Sequence, residues 1–183
     1  MIFCWSEYEA LRMARQRRPC YRLPAMPARL CEIDDLPALL APNARLIGLD
    51  LGENTIGLAL SDVNRTIASP LETLPRGKFK ADSEKLLGLA KKFDAGGLVI
   101  GLPKNMDGTE GPSAQSARAF VRNLTPLTEL AIVFWDERLS TAAVERTLIE
   151  ADASRRRRDE VVDKVAAAYI LQGALDRLGY GKR

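Results

Sequence analysis

Apolar and polar residues alternate along this chain in two rhythms, and the change from one to the other sets out its elements. In Arg45-Leu-Ile-Gly-Leu-Asp-Leu-Gly52, Ile47, Leu49 and Leu51 recur at every second position, the period of a strand. A second run, Ile56-Gly-Leu-Ala-Leu-Ser-Asp62, follows Glu53-Asn54-Thr55, and the two predict a tight antiparallel pair. Thr66 to Leu74 alternates around Pro70, which predicts a third antiparallel strand at a sheet edge, since proline has no N–H for a ladder. The rhythm then becomes helical. Leu86, Leu87, Leu89, Ala90 and Phe93 predict a helix from Ser83 to Phe93, capped by Asp82 or Ser83 and closed by Gly96-Gly97.

Leu98 to Gly101 reads as a buried parallel strand entered through that helix. Residues 102–113 are rich in turn formers and predict an exposed loop at the strand's C-terminal end, the edge where open α/β sheets bind ligands. Ser113 is placed to cap a helix that turns Ala117, Phe120, Val121 and Leu124 inward. Leu130 to Trp135 reads as another buried strand, with Trp135 in the core, and runs directly into Asp136-Glu137-Arg138. A helix opening at Ser140 or Thr141 is expected to reach about Ala151. The run Arg155 to Arg158 then reads as a connector to a last helix, roughly Asp159 to Leu178. Three antiparallel strands followed by helices and parallel strands predict an α/β fold, a mixed sheet with helices on both faces.

Residues 1–30 depart from this pattern, with six arginines against Glu7 and Glu9 and with Pro19, Pro24 and Pro27 interrupting any helix. The expected organisation is a flexible or weakly structured extension over 1–41, with one short helical turn in 32–41, and a single domain over 42–183. Met26 opens a more ordinary stretch and is the expected natural start. No apolar stretch is long enough to span a bilayer, so no membrane partner is expected. Cys4, Cys20 and Cys31 suggest neither a disulfide framework nor a metal cluster, which fits a reducing cytoplasm.

The chain holds no histidine, which removes the Ser-His-Asp arrangement, imidazole zinc sites and the usual general base at neutral pH. Chemistry must then run on carboxylates, Lys, Tyr, Cys or a metal. Asp50 stands among apolar neighbours on a strand, where an ionised carboxylate is costly unless a cation meets it. Glu137, beside Asp136, follows the last strand, and Asp163 lies near the start of the last helix. If the parallel strands stack beside the first, these acids reach one rim of the sheet. Mg²⁺ or Mn²⁺ takes such oxygen ligands, and a pair of ions about 4 Å apart supports phosphodiester hydrolysis without histidine. Neighbouring side chains on an extended segment point apart, so Asp136 reads as a helper or a structural cap rather than a ligand. Arg138 either contacts phosphate or pairs with an acid, and Lys104 and Asn105 either seat a phosphate backbone or serve a turn. Arg155, Arg156, Arg157 and Arg158 combine the character of a connector with a possible hold on nucleic acid.

Asp50-Leu-Gly52 with the hairpin ending Ala59-Leu-Ser-Asp62, the loop Gly101-Leu-Pro-Lys-Asn-Met-Asp-Gly108, Asp136-Glu-Arg-Leu-Ser-Thr141 and Asp163-Lys-Val-Ala-Ala-Ala168 occur together in this order. In these motifs, from about Pro42 to about Leu178, the chain resembles the YqgF-type pre-16S rRNA nucleases, also described as Holliday junction resolvases of the RNase H-like fold. The resemblance implies Asp50, Glu137 and Asp163 as an acidic triad. It also implies a cytoplasmic hydrolase trimming the 5′ end of a ribosomal RNA precursor, with the ribosome as a partner and branched DNA as the alternative substrate. The chain is expected to act as a monomer or homodimer. Two other readings stay open. One is an ATP-binding domain of the actin, heat-shock ATPase and sugar-kinase type, whose Asp-x-Gly-x-x-Thr is met by Asp50, Gly52 and Thr55. The other is a binding module without turnover.

Overall fold

A computed structural model of the protein describes residues 30–105, 107–137 and 155–180. At its centre β1 (Arg45–Leu51) pairs antiparallel with β2 (Thr55–Ser61), which sets Asp50 opposite Gly57. β3 (Ala68–Pro75) adds antiparallel to β2, β4 (Ala95–Leu102) lies parallel to β1, and β5 (Ala131–Asp136) parallel to β4. The spatial order is β3-β2-β1-β4-β5, the expected mixed sheet of an α/β fold, three antiparallel strands continued by two parallel ones. Pro70 sits on the β3 edge as its missing N–H requires.

Because strand side chains alternate, every strand serves two cores. Ile47, Leu49, Ile56, Leu58, Leu98, Ile100 and Ile132 face one side, packed with Leu86 and Ala90 of α2 (Phe79–Lys92) and with Ala117, Phe120, Val121 and Leu124 of α3 (Pro112–Leu124). Leu46, Ala59, Val99, Val133 and Trp135 face the other, under α4 (Arg155–Tyr180), whose Ala167, Ala168, Ile170, Leu171 and Ala174 meet them. Here glycines decide the spacing. A Cβ at Gly48 would stand 2.7 Å from the Leu171 Cβ and 2.8 Å from the Ala167 carbonyl oxygen, and one at Gly57 would overlap the Asp163 backbone. α4 lies nearly backbone to backbone on the sheet. Gln172 ties it to the β3 approach, its side-chain oxygen accepting from the Ala68 N–H at 2.9 Å.

Several boundaries fall elsewhere than the rhythm predicts. α2 starts four residues early because Asp82 works from inside the helix, accepting from the Gly77 N–H at 3.0 Å. Gly96 and Gly97 do not close that helix. Asp94 takes the positive φ, and the glycines open β4, where Ala44, Leu36 and Leu46 crowd against them. β3 begins late because the Asp62 carboxylate accepts from the Thr66 and Ile67 N–H groups at 2.6 and 3.0 Å, holding that stretch as a loop. α3 begins at Pro112 with Gly111 as its N-cap in place of Ser113. The arginine run is helical and forms the opening of α4.

The expected turn in 32–41 is present as a short 3₁₀ turn (Ile33–Asp35) and α1 (Leu36–Leu39). This segment reaches the domain: Leu36 is fully buried in the α4-side core, and the Cys31 N–H donates to the Ile132 carbonyl at 3.0 Å. The extension before residue 30, the start at Met26 and the helix expected over 140–151 lie outside the described residues. Among the described residues no helix is long and apolar enough to cross a membrane.

Candidate active site

The C-terminal ends of β1, β4 and β5 open into a cleft of about 470 Å³, lined by Asp50, Gly52, Glu53, Arg76, Ser113, Ser116, Glu137 and Asp163 among others. The three acids come from three elements. Asp50 is on β1, half-buried, on the face that α4 covers. Glu137 follows the end of β5, and its Oε1 lies 2.5 Å from where a Cβ on Gly101 would stand, so the missing side chain makes its room. Asp163 comes from α4, over Gly57, and therefore over the residue paired with Asp50. The Thr55 hydroxyl donates to Asp163 Oδ2, which orients that carboxylate from the start of β2. The Thr55 hydroxyl is thus committed to a cleft carboxylate.

Asp136 points away from Glu137, as alternation requires, and pairs with Lys104 at 3.3 Å. Lys104 and Asp136 line a second hollow of about 590 Å³, with Cys31, Arg118 and Phe134. Burial there pushes the Cys31 thiol up from its usual pKa. Arg118 lies 5.0 Å over the Phe134 ring and pairs with Glu110, which holds the Glu110 carboxyl below its usual range and raises the guanidinium. Asn105 is engaged inside its loop, its backbone N–H donating to the Thr109 carbonyl at 2.9 Å and its side-chain amide to the Thr109 hydroxyl at 2.8 Å. The structure therefore gathers Asp50, Glu137 and Asp163 on one cleft and sets Lys104 and Asn105 apart from it. Arg138 and the side chains of Arg155 to Arg158 lie outside the described residues; the backbone of the arginine run stands two turns before Asp163 on α4.

The residue-by-residue reading missed Arg76. Its side chain enters the cleft, donating to the Gly52 carbonyl and, at 2.8 Å, to the Ser116 hydroxyl. No local signal marks it, because its partners lie 24 and 40 residues away.

The model of the RuvX family, described as Holliday junction resolvase, matches residues 44–177. The chain belongs to the RuvX family. A relative from Methylocella silvestris named "Putative pre-16S rRNA nuclease" is 63% identical over 153 residues, covering 84% of this chain and 95% of its own. One of the same name from Ruegeria pomeroyi is 59% identical over 150 residues, covering 81% and 97%. The solved RuvC of Thermus thermophilus aligns with a TM-score of 0.45 at 12% identity, over 74% of this chain and 97% of that one. The RuvX match includes Asp50, Glu137 and Asp163.

Proposed function

We propose that this protein is a divalent-metal-dependent nuclease that hydrolyses phosphodiester bonds in the 5′-end processing of pre-16S rRNA, in the cytoplasm and in the course of ribosome assembly. The observation that carries this reading is the single cleft that takes Asp50 from β1, Glu137 from the end of β5 and Asp163 from α4. The names of the RuvX relatives support the RNA substrate.

The donor set suits a hard ion. It offers carboxylate oxygens, and the chain has no histidine to compete for a softer metal. Asp50, Glu137 and Asp163 are the side chains that would hold a Mg²⁺ or Mn²⁺ ion, which is commonly bound through one or two carboxylates with water. A bound ion of this kind supplies a more acidic water and offsets charge on the phosphoryl oxygens. The chain's own residues do the placing. Thr55 fixes the Asp163 carboxylate, Gly57 and Gly101 leave space for Asp163 and Glu137, and β1 holds Asp50 between its two neighbours in the sheet. Arg155 to Arg158 and Arg138 are assigned to the nucleic-acid backbone, whereas Lys104, paired with Asp136, and Asn105, engaged with Thr109, keep the turn role that the sequence also offers.

A second reading, resolution of branched DNA, has the description of the family model in its favour. Nucleotide binding of the actin type is disfavoured because the Thr55 hydroxyl it needs is given to Asp163. One experiment separates them. The protein is incubated with Mg²⁺ or Mn²⁺ and a 5′-extended 16S precursor fragment, single-stranded RNA, a four-way DNA junction or ATP, beside Asp50→Asn, Glu137→Gln and Asp163→Asn. The expected result is cleavage of the precursor, lost on chelation and in each variant, with melting temperatures unchanged or raised because clustered carboxylates repel one another. Cleavage of the junction alone moves the substrate to DNA, and ATP turnover or silence on every substrate rejects the proposal. A variant cutting at full rate removes its residue from the acid set.

A further inference from the structure

The cleft presents four carboxylates, Asp50, Glu53, Glu137 and Asp163, and among its described lining residues one base, Arg76. A polyanionic strand meeting such a wall is repelled unless a cation receives its phosphate. Arg76 is anchored for that task. Its backbone N–H donates to the Asn54 carbonyl at 2.8 Å, one guanidinium nitrogen donates to the Gly52 carbonyl, and the other to the Ser116 hydroxyl at 2.8 Å. The side chain thereby clamps the turn that follows Asp50 against the first turns of α3. Those two side-chain bonds use two of the five guanidinium N–H donors. A lysine would keep the charge but could not span both partners in one plane.

We infer that Arg76 is the substrate-side cation of the cleft, holding a non-bridging phosphate oxygen of the bound strand with its remaining donors while its clamp on Gly52 fixes that phosphate relative to Asp50. The inference rests on the nuclease reading and gives it a residue that positions the substrate backbone in the cleft. Arg76 binds a polyanion by charge and position, so it serves any strand threaded through the cleft and reads no base.

The test uses Arg76→Gln, Arg76→Lys and Ser116→Ala in the full chain. Melting temperature, kcat and KM on the precursor fragment, and the affinity for a fluorescent single-stranded RNA across a salt series are measured for each. Arg76→Gln is expected to raise KM and Kd by about tenfold, the loss of one charge-assisted hydrogen bond, and to flatten the slope of log affinity against log salt by about 0.7. Arg76→Lys keeps the slope and lowers kcat, because the charge stays and the clamp goes. Ser116→Ala keeps the slope and the melting temperature and raises KM. If Arg76→Gln binds RNA with the wild-type affinity and slope, or only its melting temperature falls, Arg76 is a structural clamp and the inference is overturned. Should that variant not fold, Arg76→Lys and Ser116→Ala decide, and wild-type kcat and KM in both reject it. RNA binding is read without turnover, so a wild-type chain that binds but cuts nothing removes the nuclease reading and leaves the salt slope to judge Arg76.

Discussion

Replacing Gly57 by alanine adds one methyl group at the place where strand, helix and candidate chemistry meet. Two effects oppose each other. In the unfolded chain alanine is less free than glycine, which favours the variant by about 0.5–1 kcal/mol. In the folded chain the new carbon overlaps the carbonyl group of Asp163 and lies 3.0 Å from its Cβ, against 3.4 Å for ordinary contact. The obstacle is helix backbone, so it cannot swing aside; α4 has to lift by roughly an ångström. Overpacking of this kind costs about 1–3 kcal/mol, and the net is a loss of about 1–2 kcal/mol, or about 3–6 °C in melting temperature for a chain of this size. The lift carries Asp163 with it, and a displacement of about 1 Å at a reacting group lowers rate by about a hundredfold. Thermal melts and precursor cleavage measure both. Gly88→Ala is the control: nothing lies within 4 Å of its Cβ, and in the interior of α2 it should raise stability by up to about 1 kcal/mol. A Gly57→Ala protein that melts and cuts like the parent refutes the claim that glycine sets the height of α4.

Leu36→Ala tests whether the segment before β1 belongs to the domain: Leu36 is fully buried, and the change should cost about 3 kcal/mol and about 9 °C, whereas a shift within 1–2 °C would detach it. Asp62 gives a pH signature. The Ile67 and Thr66 N–H groups lower its pKa from 3.8 to about 2, so its contribution is complete above about pH 4 and disappears as the pH falls through about 2. Urea melts of the parent and Asp62→Asn between pH 2 and pH 6 should converge at the acid end, and a gap independent of pH counts against the turn.

The strands were legible because alternation is a local property that survives wherever one face meets a helix, as in Ile47, Leu49 and Leu51. Asp50 stands out as a charge between the apolar positions of that strand, and the fold sets it, half-buried, on the opposite face. Glycine was harder. Gly96 and Gly97 read as a helix stop, yet their small size answers to Leu36, Ala44 and Leu46, and nothing adjacent to them records those neighbours. Gly48, Gly57 and Gly101 likewise mean a seat for α4 only once β1, β2 and β4 lie side by side. The arginine run reads as a connector because like charges repel, but arginine is a good helix former and α4 continues through it. Lys104 and Arg76 show the same limit with charge. A basic residue in a loop suggests a phosphate, and only the folded chain shows that Lys104 faces Asp136 while Arg76 enters the cleft.

α4 comes after all five strands in the chain, and it supplies both the roof over Leu46, Val99, Val133 and Trp135 and the last of the cleft acids, Asp163. During synthesis every strand is therefore finished while α4 has yet to cover this face and the cleft still lacks Asp163. A product halted before Asp163 would leave that apolar face uncovered and, on the proposed function, lack one of the acids that cut. Premature release thus yields a species for chaperones and proteases to clear, and on the proposed function the order of the chain itself keeps a half-made product from cutting.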